Sequence, residues 1–307
     1  MQIQVLSNTI SIYRELAKSG IVALVLISVL GGYLAGHPFE EPLSLWRMAH
    51  TLAGIFLLAA GSSALNQLQE INTDASMPRT AKRPLPSGRL SVLHATLFCA
   101  VTLGLGLGLL LTLDPAVFWM GVGAVISYNG LYTLWWKRHW AFAAIPGAVP
   151  GALPILMGYT AASGQPFAAG GLFLFFILFY WQMPHFWALA IRFREDYAQG
   201  GVPTLPVSHG EIPTQFHIML WSFAYVALGF AGTFFLHTGW IYFGIAALTG
   251  SKVLWELFKY LKAAEASAAD GKHWLPYFLW INFSLIFYIF GAVIDLWSVY
   301  LVPFFKA

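Results

Sequence analysis

The chain has 307 residues, of which 58% are hydrophobic, 17% aromatic and only 9% charged. Soluble domains carry about a quarter charged residues, so this composition excludes a soluble globular domain and indicates a polytopic membrane protein. The net charge of +3 is too small for a nucleic-acid binder, and a single cysteine, Cys99 in an apolar run, excludes disulfide frameworks and Cys-rich metal sites.

In chain order, residues 1–19 come first. They contain Arg14, Glu15 and Lys18 and no short apolar core with a small-residue cleavage site, so no secretory signal is expected. They are also too few and too acidic for an organelle transit peptide, and a bacterial inner membrane is the expected location. A membrane-spanning helix needs roughly 20 mostly apolar residues. Nine stretches meet that need: 20–37, 47–66, 90–112, 115–136, 141–161, 169–191, 215–236, 239–258 and 275–297. The expected fold is therefore all-α, one multi-pass membrane domain over 1–307 with nine transmembrane helices.

Lys and Arg support that count. Fourteen of the 16 fall on one side: Arg14, Lys18, Arg79, Lys82, Arg83, Arg89, Lys137, Arg138, Arg192, Arg194, Lys252, Lys259, Lys262 and Lys272. Only Arg47 and Lys306 lie elsewhere. The positive-inside rule makes the crowded side cytoplasmic, with the N-terminus inside and the C-terminus outside. Within the spans, the Gly-rich run 103–110 (LGLGLGLL) is read as a close-packing helix surface and not as a nucleotide loop. Trp135, Trp136 and Trp140 at a span end are read as an interfacial belt.

Two long polar loops face the cytoplasm, at 66–89 and 191–214. Each opens with carboxylates as its helix runs out and closes on a Pro-containing turn, a weak internal repeat whose two polar ends are expected to converge. In the first, NQLQEINTDASMPRTAKRPLPSG, five charged residues fall within 23 positions. Asn66, Glu70 and Asp74 step by four, which on a helix puts them on one face. An amide and two carboxylates are hard oxygen donors of the kind Mg2+ uses together with substrate phosphates. Arg79, Lys82 and Arg83 follow at once and are suited to an anionic substrate, Arg by its planar fork and Lys as a mobile charge. The alternative is a polar helix end resting among lipid headgroups. That accounts for Lys82 and Arg89 but poorly for two acids at a helix C-terminus, where the dipole disfavours them.

The second loop follows WQMPHFWALAIRFREDYAQGGVPTLPV, residues 181–207. Trp181, His185, Arg192 and Asp196 share one helical face there, while Glu195 lies about 100° round and is either a ligand or solvent-facing. Two acidic helix ends with interleaved arginines suit a metal-bound diphosphate beneath apolar helices that accept a lipid-like tail. The reaction this implies is ionisation of an isoprenoid diphosphate, with the leaving group stabilised by cations and the carbocation kept dry.

NQLQEINTDASMPRTAKRPL resembles the first aspartate-rich motif of the UbiA-type intramembrane prenyltransferases, and within them the haem-farnesylating family. Asn66, Glu70, Asp74, Met77, Arg79, Thr80, Arg83 and Pro84 fill that pattern, with Glu70 where many members carry Asp. YTLWWKRHWAFAAIPGAVPGALPILMGY resembles the family's Y-T…KR loop and the Gly/Pro-rich helix after it, and the 181–207 stretch resembles the signature that separates haem from quinone prenyltransferases. The resemblance implies Mg2+-assisted transfer of farnesyl from farnesyl diphosphate to the 2-vinyl group of haem B, with water adding to give the hydroxyethylfarnesyl group. It implies metal binding by Asn66, Glu70, Asp74 and Asp196. Diphosphate contacts are expected from Arg79, Lys82, Arg83, Lys137, Arg138 and Arg192, and a haem contact from His185, as axial ligand or polar neighbour. Haem B is then a substrate and Mg2+ the cofactor. A downstream haem-modifying membrane enzyme is an expected recipient of so insoluble a product. His50 and His94 lie within spans, where polar groups are costly, and His209 and His217 are read as loop or interface residues. The competing functions are prenylation of an aromatic quinone precursor and, far behind, ion-coupled transport, whose charges usually sit near the bilayer midplane.

Overall fold

The computed structural model describes residues 2–265 and 273–305, and all regular structure among them is helical. In chain order the helices are α1 (Gln2–Leu16), α2 (Ser19–Ala35), α3 (Leu45–Gln69), α4 (Ile71–Ser76), α5 (Val92–Leu113) and α6 (Pro115–Val125). The last continues without interruption as a π-helix over Ile126–Trp136. Then come α7 (Lys137–His139), α8 (Ala144–Ser163), α9 (Ala169–Arg192), α10 (Arg194–Gln199) and α11 (Leu205–Ser208). The C-terminal part holds α12 (Glu211–Phe230), α13 (Gly232–Phe235), α14 (Trp240–Glu265) and α15 (Trp274–Phe305).

Seven of these segments are long and apolar enough to cross a bilayer, or eight if the bent pair Thr9–Leu16 and Ser19–Ala35 forms one span. Helix occupies each of the nine expected stretches, the fourth being the α6–π helix. Lys272 and Lys306, used above for orientation, lie outside the described residues.

Local chemistry sets the helix starts. The Ser44 and Ser91 side chains accept from the backbone N–H of Arg47 (3.2 Å) and His94 (3.3 Å). Asp114 accepts from Ala116 and Val117 at 2.7 and 3.3 Å, with Pro115 opening α6. Each satisfies a donor that a helix start leaves free. Asp295 does the same from a distance: buried in α15, it accepts from Gly239 N (2.8 Å) and Tyr242 N (2.7 Å) at the start of α14. The acid near the far end of the last span thus has a structural partner. Arg47, one of the two cations away from the crowded side, donates 2.6 Å to the Ala161 carbonyl in the last turn of α8 and stands 4.0 Å from Asp114.

Small residues bring the helices together. A Cβ at Gly32 would stand 2.1 Å from the Ile155 carbonyl, and one at Gly158 2.3 Å from the Val29 carbonyl, so α2 and α8 touch backbone to backbone. Of the glycines in 103–110, Gly106 alone is a contact: its Cβ would meet Leu58 N at 2.8 Å, while Gly104 and Gly108 face open space. The largest core lies among α8, α9, α12, α14 and α15, around fully buried Trp187, Tyr225 and Tyr277. In it Ser222 pairs with Tyr277 and Tyr225 with Ser284, each at 2.9 Å, joining helices by hydrogen bonds where no water is at hand. Of the three tryptophans at the end of the π-helix, Trp135 and Trp140 are exposed and Trp136 is half-buried.

Candidate active site

Where α3 runs out, its polar face meets the π-helix. Ser62 pairs with Asn129, Asn66 Nδ2 donates to Thr133 Oγ1 at 3.2 Å, and Lys137 Nζ donates to Glu70 Oε1 at 2.6 Å. Each rung joins residues 67 apart, so the two segments run parallel in constant register. Both members step by four, and π-winding keeps Asn129, Thr133 and Lys137 on one side of their helix. Thr133 Oγ1 donates five residues back to the Tyr128 carbonyl (2.8 Å), which leaves its lone pairs to accept from Asn66. Gln69 adds a side contact, donating to the Asn129 carbonyl at 3.0 Å.

Asn66, Glu70 and Asp74 are all buried here, at 2%, 4% and 1% exposure. Sequence spacing places them on one helix, and this needs correction. The α-helix stops at Gln69, and Glu70 (φ −112°, ψ 15°) turns the chain into the short α4 that carries Asp74. Asn66 Nδ2 still reaches Glu70 Oε2 at 3.0 Å, as four-residue spacing requires. Asp74 instead turns to Arg83, whose Nη1 lies 2.8 and 2.6 Å from its two oxygens, and its carbonyl accepts from Thr80 Oγ1 at 2.8 Å. Two carboxylates this deeply buried require partners of opposite charge, and Arg83 and Lys137 supply them.

The second polar loop breaks in the same manner. Helix α9 ends at Arg192, Phe193 (φ −112°, ψ 31°) redirects the chain, and Asp196 sits on α10. Trp181, His185, Arg192 and Asp196 therefore do not share one helix face. The two loops do converge: Arg79 Nε lies 3.6 Å from Asp196 Oδ2, and its guanidinium is 4.8 Å from the Phe193 ring centroid. Gly200 approaches Met77 so closely that a Cβ there would lie 2.9 Å from its side chain. Beside this junction is a small cleft lined by Tyr132, Lys137, Phe186, Tyr197, Val202 and Thr204.

Some expected residues stay outside the cluster. Lys82, Arg192 and Glu195 are exposed and enter none of these contacts, and Arg138 donates to the Gln69 carbonyl at 3.1 Å. His185 lies apart, between the rings of Trp181 (4.5 Å) and Phe278 (5.1 Å), with Nδ1 buried and unpartnered. His50 bonds the Leu109 carbonyl (3.0 Å) and Thr112, and His94 bonds Ser91 at 2.6 Å, so both have local partners. His217 packs against Phe142 and Trp187.

Sequence reasoning gave no site role to Lys18, Tyr132 and Thr133. Lys18 Nζ donates to Asn66 Oδ1 at 2.7 Å from the elbow between α1 and α2. The residue is only partly buried, but its ammonium is closely surrounded. That desolvation, followed by repulsion from Arg83 and Lys137, pulls its pKa down to about 7 against the attraction of Glu70 and Asp74. In sequence its position at the head of a span marks Lys18 only as a topological cation, and Tyr132 and Thr133 fall within the Y-T…KR loop with no charge to single them out.

Oxygen donors alone make up the acidic part of the site, which suits Mg2+. Among the described residues no three His, Cys, Asp or Glu side chains group closely enough to hold a metal by themselves. Mg2+ commonly takes one or two carboxylates and completes its shell with phosphate oxygens and water, so Glu70 and Asp74 need no third carboxylate beside them.

Residues 25–283 match the UbiA prenyltransferase family. A protoheme IX farnesyltransferase from Bdellovibrio bacteriovorus is 43% identical over 94% of this chain and 97% of its own length. One from Teredinibacter turnerae is 34% identical over 95% and 90%. In fold, the chain resembles a solved digeranylgeranylglyceryl phosphate synthase (TM-score 0.74, 20% identity, 92% of this chain and 98% of that one). It also resembles a UbiA homologue from Archaeoglobus fulgidus bound to GPP and Mg2+ (TM-score 0.67, 18% identity, 92% and 99%).

Proposed function

Because this chain belongs to the UbiA prenyltransferase family and is a prenyltransferase, we propose that it transfers the farnesyl group of farnesyl diphosphate to the 2-vinyl group of haem B. Water adds in the same reaction and the product is haem O. The observation that carries this reading is the meeting of the two polar loops. Arg79 of the first loop pairs with Asp196 of the second, while the buried carboxylates Glu70 and Asp74 are paired with Lys137 and Arg83. The names of the full-length relatives support the choice of farnesyl donor and haem acceptor.

Glu70 and Asp74 on the first loop and Asp196 on the second would hold Mg2+, with Asn66, whose oxygen accepts from Lys18, holding Glu70 in place; the metal would neutralise charge on the departing diphosphate. The chain's own cations are the proposed remainder of the anion site: Arg79, Arg83 and Lys137 from within the polar cluster, and exposed Arg138 beside it. The bond from farnesyl C1 to oxygen breaks and its electron pair leaves with the diphosphate. The vinyl π electrons form the new bond to C1. Water captures the cation left beside the porphyrin and gives up one proton. Tyr132 and Tyr197 line the cleft next to Lys137, and their ring faces suit a passing carbocation. His185 in its aromatic slot is the proposed haem contact, its free Nδ1 being the group available to an axial or polar partner.

The topology proposed is nine spans with the N-terminus and both polar loops in the cytoplasm of a bacterial inner membrane. It is supported by the unbroken α6–π helix as a further crossing and by the crowding of cations on one side. A haem-modifying membrane enzyme is the proposed recipient of the product.

The test uses purified protein in detergent with haem B, farnesyl diphosphate and Mg2+. A haem product heavier by farnesyl plus water is expected, and its formation should stop when the metal is chelated. If a hydroxybenzoate acceptor is prenylated while haem returns unchanged, the enzyme is a quinone-type prenyltransferase and the proposal is lost.

A further inference from the structure

Lys18 occupies an unusual backbone position. Its φ of 50° and ψ of 50° put it in the left-handed region, which a residue with a side chain seldom enters unless its surroundings hold it there. The elbow around it is fastened from α3. Gln67, fully buried, donates to the Glu15 and Leu16 carbonyls at 3.1 and 2.7 Å, and Leu16 itself is fully buried. With the elbow fixed, the Lys18 side chain reaches 2.7 Å from Asn66 Oδ1.

That contact decides how the Asn66 amide faces. Its Nδ2 group has two hydrogens, and Glu70 Oε2 (3.0 Å) and Thr133 Oγ1 (3.2 Å) accept them both. Its oxygen is then left to Lys18. Arg83 and Lys137 are each paired with a carboxylate, whereas the partner of Lys18 is a neutral amide. A carboxylate held from one side by Lys137 and from the other by a fixed amide has little freedom to rotate, and outer partners of this kind orient metal-binding groups.

We propose that Lys18 is a positioning residue for Glu70, acting through the Asn66 amide. The inference rests on the reading of Glu70 as a Mg2+-binding group. Loss of Lys18 frees the amide to rotate and leaves Glu70 oriented by Lys137 alone, so the site binds the metal less well. Removing an outer partner typically weakens metal affinity or activity about 10- to 100-fold.

The experiment compares wild type with Lys18→Met, Lys18→Arg and Thr133→Val, the last of which loosens the same amide from its other side. Two quantities are measured in detergent. One is the Mg2+ concentration giving half-maximal turnover at saturating farnesyl diphosphate. The other is the Mg2+ concentration giving half the thermal stabilisation seen with inorganic pyrophosphate. Lys18→Met and Thr133→Val should raise both about ten-fold, and Lys18→Arg should restore most of the loss. The idea is overturned if Lys18→Met lowers thermal stability alone, with neither Mg2+ midpoint moving. It is equally overturned if neither midpoint moves and only the KM for farnesyl diphosphate, measured alongside at saturating Mg2+, rises, since Lys18 then contacts the anion directly. A wild-type enzyme indifferent to Mg2+ removes the parent reading as well, and that outcome is visible before any variant is made.

Discussion

Glu70 Oε1 and Lys137 Nζ stand 2.6 Å apart across 67 residues of chain, as the last rung of the ladder that joins α3 to the π-helix. Both side chains are largely buried, at 5% and 19% exposure. In such surroundings the pair is held as much by the cost of separating it as by its own attraction.

Removal of one partner should therefore destabilise the protein more than removal of both. Lys137→Met leaves a buried, unpaired carboxylate and is expected to cost about 3 kcal/mol, read as a lower midpoint of thermal unfolding in detergent. Lys137→Met combined with Glu70→Gln should recover most of that stability without restoring turnover. Equal loss in the single and double variants would show that the pair is not coupled.

Asp74→Asn and Asp196→Asn should each abolish turnover while the protein stays folded. Asp74 is gripped by both contacts of Arg83, and an amide of the same shape keeps the volume while losing the charge. Full activity in either variant, measured as haem O formed, would remove that carboxylate from the metal site. Glu70→Asp should retain activity.

Arg79 ties the two loops together through Asp196 and lies over the Phe193 ring. Arg79→Lys keeps the charge but loses the planar fork. The KM for farnesyl diphosphate is expected to rise about ten-fold, equivalent to about 1.4 kcal/mol, and further in Arg79→Ala. An unchanged KM in Arg79→Ala would take this residue out of anion binding.

His185→Ala opens the slot between Trp181 and Phe278. If His185 ligates haem iron, the absorption spectrum of added haem B should shift between wild type and variant. An identical spectrum with undiminished binding would end the axial-ligand role.

Asp295→Ala should remove the two caps on Gly239 and Tyr242 and cost about 1–2 kcal/mol of stability, while the Mg2+ requirement of the remaining folded enzyme stays as in wild type. A change in metal requirement would imply that this distant cap communicates with the site.

Much of the fold was legible because bilayer solvent imposes simple rules on sequence. Apolar runs of spanning length gave the helices nearly to their ends, and Ser44, Ser91 and Asp114 stand where three of them start. The acidic pairs and the arginines after them were equally visible, since charge is rare in this chain. Helix breaks were not. Glu70 and Phe193 leave helical geometry without a proline or glycine to announce it, so four-residue spacing overstated which residues share a face. The π-winding of Ile126–Trp136 was likewise hidden, because its apolar pattern reads as ordinary membrane helix.

By itself, then, the sequence determined that this is a helical membrane protein with two charged helix ends, and its motifs pointed to the prenyltransferase family. Only the tertiary structure decided which charge answers which. Arg83 goes to Asp74, Lys137 to Glu70, Arg79 to Asp196, while Lys82 and Arg192 remain in the open. The reason is physical: a charge pair is selected by distance and burial after the helices pack, and residues such as Glu70 and Lys137 carry no local mark of a partner 67 positions away. Lys18 shows the same limit, since only the packed elbow reveals that its ammonium reaches the Asn66 amide 48 positions away.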